Sequence, residues 1–309
     1  MGKEKEKYSK ERRKLLKYGL GATLGGMIGW PVMSRLMAQE QKPAGGEKVK
    51  VLTTDGKVVK VDKDQVEHFQ KYEKPAKGKA ARKGIPNRKF VMVIDLARCK
   101  NARACVESCQ QAHGLRTEQE YMQVLKMQDS EETSPYWFPK PCYHCDNASC
   151  VDVCPVEATY KRDDGVVLID SNQCIGCKYC MVACPYSARI YHWKEPKNSE
   201  QYKDQTYSPE TSTPPKQGTV GKCDFCPDLA RNDKLPHCVT ACPEGVIFFG
   251  DMNEDTVTNG YETHRFSQLI REKSGYTYME YFGTEPNVYY LPPVNRIYPF
   301  EETIKKEKG

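Results

Sequence analysis

The apolar positions of this chain come in short runs separated by long polar stretches. Val49–Leu52 and Val58–Val61 flank Thr53-Thr54-Asp55-Gly56-Lys57, and Asp-Gly between two such runs predicts a β-hairpin. Asp64–Tyr72 predicts a short helix, and 73–86 reads as a linker. Phe90–Asp95 is an apolar strand that runs towards the first cysteine, Cys99. Val246–Gly250 predicts another strand, Arg265–Glu272 a helix, and Asn287–Pro293 an extended aromatic segment. Between these, 110–141 and 185–222 are polar, proline-bearing insertions. The expected class is therefore α+β, with small β-hairpins, short helices and irregular insertions.

Composition sharpens this. The chain has 309 residues with 39% hydrophobic and a mean hydropathy of −0.72. That is a thin supply for an ordinary core of this length, so something else must organise the fold. The 15 cysteines are the candidate.

The net charge of +6 is unevenly placed. Residues 1–90 carry 23 Lys and Arg against 10 Asp and Glu, and the remainder carries 24 against 31. The basic excess belongs to a leader and linker and not to the body, which argues against a nucleic-acid partner. In the leader, Arg12-Arg13 is followed by Leu15-Leu16 and Lys17, then by 17 uncharged residues, Tyr18–Ser34, which include five glycines and Pro31. That stretch is a poor spanning helix but suits the apolar part of a signal. The pattern resembles a twin-arginine export signal, with Leu15 where Phe is more usual. Leu36-Met37-Ala38 is a weak cleavage site, so a cleaved leader and a retained anchor both stay open. The competing reading is a solvated basic tail. The resemblance implies export of a folded protein to the outer face of the cytoplasmic membrane, the route needed when a cofactor is inserted before export.

The repeat in this chain is cysteine spacing. One group is Cys174-x2-Cys177-x2-Cys180-x3-Cys184-Pro185. Upstream lies Cys142-x2-Cys145-x4-Cys150-x3-Cys154-Pro155, and downstream Cys223-x2-Cys226-x11-Cys238-x3-Cys242-Pro243. The first group is Cys99-x5-Cys105-x3-Cys109, with Ala102 where another cysteine would complete the pattern. Ferredoxins use C-x2-C-x2-C-x3-C-P, the last cysteine of each run serving a second cluster. A tight loop presents three thiolates, and the proline fixes φ where the chain turns away. Disulfides would leave one thiol over and need no such period. Structural zinc explains paired C-x2-C knuckles but not ferredoxin order. His144, His192 and His237 lie within or beside cysteine groups; no cysteine is missing where His144 or His237 stands, so a hydrogen-bonding role is expected. Trp137 and Trp193 read as packing or interface, and Lys178, Lys222 and Arg103 as charges that tune a nearby cluster. The sequence contains no phosphate loop, haem-attachment site or Ser-His-Asp order.

These groups, with Pro141-Cys142-Tyr143-His144-Cys145, Gly221-Lys222-Cys223-Asp224-Phe225-Cys226, Phe249-Gly250-Asp251 and Asn287–Pro292, resemble one family from Phe90 to Pro293. It comprises the ferredoxin-like subunits of membrane-linked anaerobic respiratory oxidoreductases: dimethyl sulfoxide, polysulfide and tetrathionate reductases, formate-dependent nitrite reduction and the Dsr complex. The resemblance implies two nested ferredoxin-like dicluster units. Carried residue by residue, Cys142, Cys145, Cys150 and Cys184 share one [4Fe–4S] cluster. Cys174, Cys177, Cys180 and Cys154 share a second, and Cys223, Cys226, Cys238 and Cys109 a third. Cys99, Cys105 and Cys242 remain for the last site, where Ala102 cannot ligate. A [3Fe–4S] cluster is expected there; a fourth iron held by water or Asn101 is the alternative.

The family further implies an electron carrier with no substrate of its own. It would connect an integral-membrane quinone-reactive subunit with a periplasmic catalytic (molybdopterin) or multihaem cytochrome subunit, the Ala102 site facing the soluble partner. The expected organisation is a signal or anchor over 1–40, hairpin and basic linker over 41–86, the cluster domain over 87–275 and an extended docking tail over 276–309. Two competing readings are an enzyme using the open corner of the three-cysteine cluster and a zinc- or disulfide-stapled module.

Overall fold

Strand β3, Phe90–Asp95, has strands paired on both of its sides. All six of its residues are buried, which is why its sequence is continuously apolar up to Asp95. The computed structural model describes residues 48–52, 58–62, 79–131, 133–196 and 207–294. The twin-arginine pair Arg12-Arg13 and the helix expected at Asp64–Tyr72 lie outside the described residues.

The architecture is α+β. A hairpin joins β1 (Lys48–Leu52) to β2 (Val58–Asp62) with Leu52 opposite Val58, as the Asp-Gly signal predicts. The stretch expected to be a linker contains a helix, α1, Lys79–Lys83, with Ala81 fully buried. Its two alanines and basic last turn favour a helix.

The main sheet has six strands, with β3 in its interior. Strand β10 (Ile247–Asp251) pairs antiparallel with β3, Ile247 opposite Ile94. Strands β11 (Thr256–Thr258) and β12 (Thr263–Arg265) extend that side. On the other side β14 (Val288–Leu291) runs parallel to β3, Val288 opposite Met92, and β13 (Tyr276–Thr277) closes the edge. The alternation of β3 sorts its side chains onto two faces. Val91 and Val93 join Phe248, Val257, Leu269 and Leu291 in a core beside the helix Phe266–Glu272. Phe90, Met92 and Ile94 face the larger core, which contains Cys105, Cys109, Cys142, Cys223, Cys238 and Cys242. Burying each such aliphatic side chain contributes about 1.5–3 kcal/mol.

Two boundaries differ from expectation. Residues 276–291 are not an extended docking tail: β13 and β14 complete the main sheet, and Val288, Tyr290 and Leu291 are buried. The cluster domain therefore runs past 275. The insertion 110–141 is not wholly irregular either, since β4 (Gln123–Met127) and β5 (Tyr136–Lys140) form an antiparallel ribbon with Leu125 opposite Phe138. Two smaller ribbons, β6–β7 (Thr159–Lys161, Val167–Ile169) and β8–β9 (Ile190–Tyr191, Val220–Gly221), follow the second and third cysteine groups. No helix among the described residues is long and apolar enough to cross a membrane.

Candidate metal centres

Each cysteine group is a loop that runs into a short helix. These helices are Ala104–Ala112, Ser149–Asp152, Tyr179–Val182 and His237–Thr240, carrying Cys105, Cys150, Cys180 and Cys238. Every loop makes the same backbone move one residue before its second thiolate position. Asn101, His144, Gly176 and Phe225 have φ of 60°, 46°, 72° and 64°. Only Gly176 takes that left-handed conformation without steric cost. A Cβ on Gly176 would also lie 2.2 Å from the carbonyl oxygen of Gly218. Asn101 makes the turn although Ala102 follows it in place of a cysteine. The first loop thus keeps the shape of the other three.

The structure brings thiols of different groups together. Cys99, Cys105 and Cys242 line one cavity together with Ala102 and Asn101, and the Oδ1 of Asn101 is buried without a hydrogen-bond partner. Cys142, Cys145, Cys150 and Cys184 line a second cavity with Arg189. Cys238 is within electrostatic reach of Cys226, Cys223 and Cys109, and also of Cys105. Cys180 is likewise within reach of Cys174 and Cys154. Cys177 stands apart: it is exposed, and no described contact joins it to those three. All fifteen thiols are free, so the structure contains none of the bridges of the disulfide reading.

Burial pushes the Cys105 thiol up to about 12, and neighbouring Cys242 and Cys99 add to the effect. Burial and then Cys142 raise Cys145 to about 12, and burial raises Cys226 to about 11. Such crowding opposes thiolates unless cationic metal sits among them. Cys154 differs. Burial opposes its ionisation, but hydrogen bonds from the backbone of Thr159, Val156 and Ala158 outweigh it and hold the thiol below its ordinary value. The Thr159 amide donates to its Sγ at 3.4 Å, as Val246 does to Cys242 Sγ at 3.4 Å. Buried thiol sets, preformed loops and N–H donors to sulfur fit iron–sulfur clusters.

The histidines divide. His144 accepts a hydrogen bond from the Val167 amide at Nδ1, 3.1 Å, and stacks on Phe225 with ring centroids 3.7 Å apart. His192 is buried between Gln119 Nε2, 3.3 Å from Nδ1, and the Tyr121 hydroxyl, 3.1 Å from Nε2. The backbone carbonyl of His237 accepts a hydrogen bond from Ser108 Oγ. Sequence reasoning overlooked His113, whose Nδ1 is 3.7 Å from Cys109 Sγ and whose Nε2 is 3.2 Å from the buried Asp224 carboxylate. It stands four residues after Cys109, hence on the same helix face, and that spacing is the signal that could have found it.

Of the three expected tuning charges, Lys222 is buried, with its ammonium donating to the carbonyls of Val167 and Cys223. Lys178 lies instead over the Trp193 and Tyr191 rings, at 3.8 and 4.2 Å, and Arg103 pairs with Glu120.

These features define an iron–sulfur protein of the ferredoxin type, and known proteins agree. Two models of a 4Fe-4S dicluster domain match residues 133–201 and 173–247. The chain belongs to the family of iron–sulfur electron-transfer subunits of respiratory oxidoreductases. It is 35% identical to the iron–sulfur cluster-binding subunit of menaquinone reductase from Nitratidesulfovibrio vulgaris, over 66% of this chain and 88% of that protein. A selenate reductase subunit from Mesobacillus selenatarsenatis is 30% identical over 93% of this chain and 99% of its own length. A tetrathionate reductase subunit from Salmonella typhimurium is 34% identical over 67% of this chain and 74% of its own length.

Proposed function

We propose that this chain is the electron-conducting subunit of a membrane-associated respiratory oxidoreductase, with two nested dicluster units and no catalysis of its own. Cys142, Cys145, Cys150 and Cys184 hold one [4Fe–4S] cluster; Cys174, Cys177, Cys180 and Cys154 hold another. Cys223, Cys226, Cys238 and Cys109 hold the third, and Cys99, Cys105 and Cys242 hold a [3Fe–4S] cluster. When bound, such clusters supply one-electron transfer. The protein's own residues hold sulfur in register, donate N–H groups to it and keep water from most of the cages. The observation that carries this reading is the shared left-handed turn of all four loops, Asn101 included. A three-thiolate cage in an otherwise preserved loop suits a cluster lacking one iron.

The partners proposed are an integral-membrane quinone-reactive subunit and a periplasmic catalytic or multihaem subunit. Around the exposed Cys177, Ile175, Tyr179, Val182 and Trp193 are all exposed, Trp193 at 67%. An apolar patch of this kind suits the membrane subunit, which leaves the Ala102 end for the soluble partner. The Arg12-Arg13 leader supports export and a place on the outer face of the membrane.

Anaerobic purification tests the assignment. About 15 iron atoms per chain are expected, together with an EPR signal in the oxidised protein. Ala102→Cys should bring the iron to about 16 and abolish that signal. Metal-free protein overturns the whole reading. About 16 iron in the native chain with no oxidised signal overturns the three-iron site.

A further inference from the structure

Arg189 is a buried cation that none of the site assignments uses. Its residue is only 4% exposed. Nη1 donates to Thr159 Oγ1 at 3.3 Å, and Nη2 is buried with no hydrogen-bond partner. No carboxylate pairs with it among the described residues. An isolated buried charge is unfavourable unless opposite charge lies close by. The groups that act on Arg189 are sulfurs. Burial works against its charge, and Cys150, Cys180 and Cys142 more than offset that.

Those sulfurs belong to different cages. Arg189 lines the cavity of Cys142, Cys145, Cys150 and Cys184. Its hydrogen-bond partner Thr159 donates its own amide to Cys154 Sγ at 3.4 Å, and Arg189 also acts electrostatically on Cys180, which keeps company with Cys174 and Cys154. In a four-thiolate cluster the thiolates outweigh the charge of the core, and each electron accepted increases the negative excess. A cation at the sulfur therefore favours the reduced form. A planar guanidinium with several N–H groups can serve two sulfurs at once, which a lysine ammonium at this position cannot do as well. The buried carboxylate of Asp224, by contrast, lies beside Cys223 and Cys226.

We propose that Arg189 is a positioning residue shared by two neighbouring clusters, those of Cys142/Cys145/Cys150/Cys184 and Cys154/Cys174/Cys177/Cys180, and that it raises the reduction potential of both. The inference rests on the cluster assignment above.

The test is a potentiometric titration of the full chain, followed by EPR, with iron counted on the same samples. In Arg189→Gln, two of the four titrating steps should move to lower potential while two stay in place. In Arg189→Lys, which keeps the charge but not the fork, the two steps should move less and by unequal amounts. An iron-replete Arg189→Gln with neither step moved, or with only one moved, overturns the shared role. Loss of iron in both variants assigns Arg189 to assembly alone and overturns it as well. An iron-free native chain would instead defeat the underlying cluster assignment.

Discussion

The hydroxyls of Tyr143 and Tyr290 lie 3.0 Å apart in the core, and Tyr290 donates onward to the carbonyl of Pro139, 3.0 Å away. The residue next to Cys142 is thereby tied to the last strand of the main sheet. Tyr143 must donate to Tyr290, because Tyr290 has already committed its proton. Tyr290→Phe leaves the buried Tyr143 hydroxyl and the Pro139 carbonyl without partners, at an expected cost of about 1–3 kcal/mol. Denaturant unfolding of iron-replete protein measures it. A loss below about 0.5 kcal/mol would mean the relay contributes nothing. Ending the chain at Gly275, which removes this strand altogether, should abolish folding.

What could be read from the sequence follows a physical divide. β3, β10 and the helix Phe266–Glu272 were legible because burial on two faces or one leaves a plain period in the residues. The β4–β5 ribbon was not, since Pro139 inside Tyr136–Lys140 argues against a strand and Gln123–Met127 buries none of its residues. The end of the chain was ambiguous for another reason. Tyr289-Tyr290-Leu291 has the aromatic character of an interface, and its true partner, β3, is nearly two hundred residues away in sequence. The four cysteine groups were legible from spacing, whereas the expectation of which thiols share a cage came from the family resemblance. Arg189 and Asp224 were not legible, because no spacing rule connects them to sulfur; only the folded chain brings them there.

Asn101 offers a test of the first loop that leaves every thiolate in place. Asn tolerates φ of 60°, whereas a β-branched residue there is strained by roughly 1–3 kcal/mol. Asn101→Gly should keep the native iron content and the oxidised EPR signal. Asn101→Val should lose up to about three iron atoms per chain together with that signal, while the other three sites stay filled. Equal loss in both variants would show that the side chain, through its unpartnered Oδ1, matters more than the turn.

His192 sets a pH dependence with a definite sign. Burial holds this imidazole at about 4, below the ordinary 6.5. The folded protein keeps it neutral while the unfolded chain accepts a proton. Its contribution to stability is therefore complete above about pH 6.5 and declines as pH falls towards 4. The slope is at most about 1.4 kcal/mol per pH unit for one such group. His144 is also held low, by burial and by Lys222 and Arg189, so the native protein should lose stability on acidification with more than one histidine contributing. His113 shifts the opposite way, because Asp224 and Cys109 outweigh its burial. The informative quantity is therefore the difference between the native chain and His192→Gln. At pH 7.5 the variant should be less stable, having disturbed the contact with Tyr121. Between pH 7 and 5.5 its unfolding free energy should fall less steeply than that of the native chain, so that the two curves converge. Parallel curves across that range would mean that the imidazole titrates in the fold as it does in the unfolded chain, and the buried neutral imidazole would have to be abandoned.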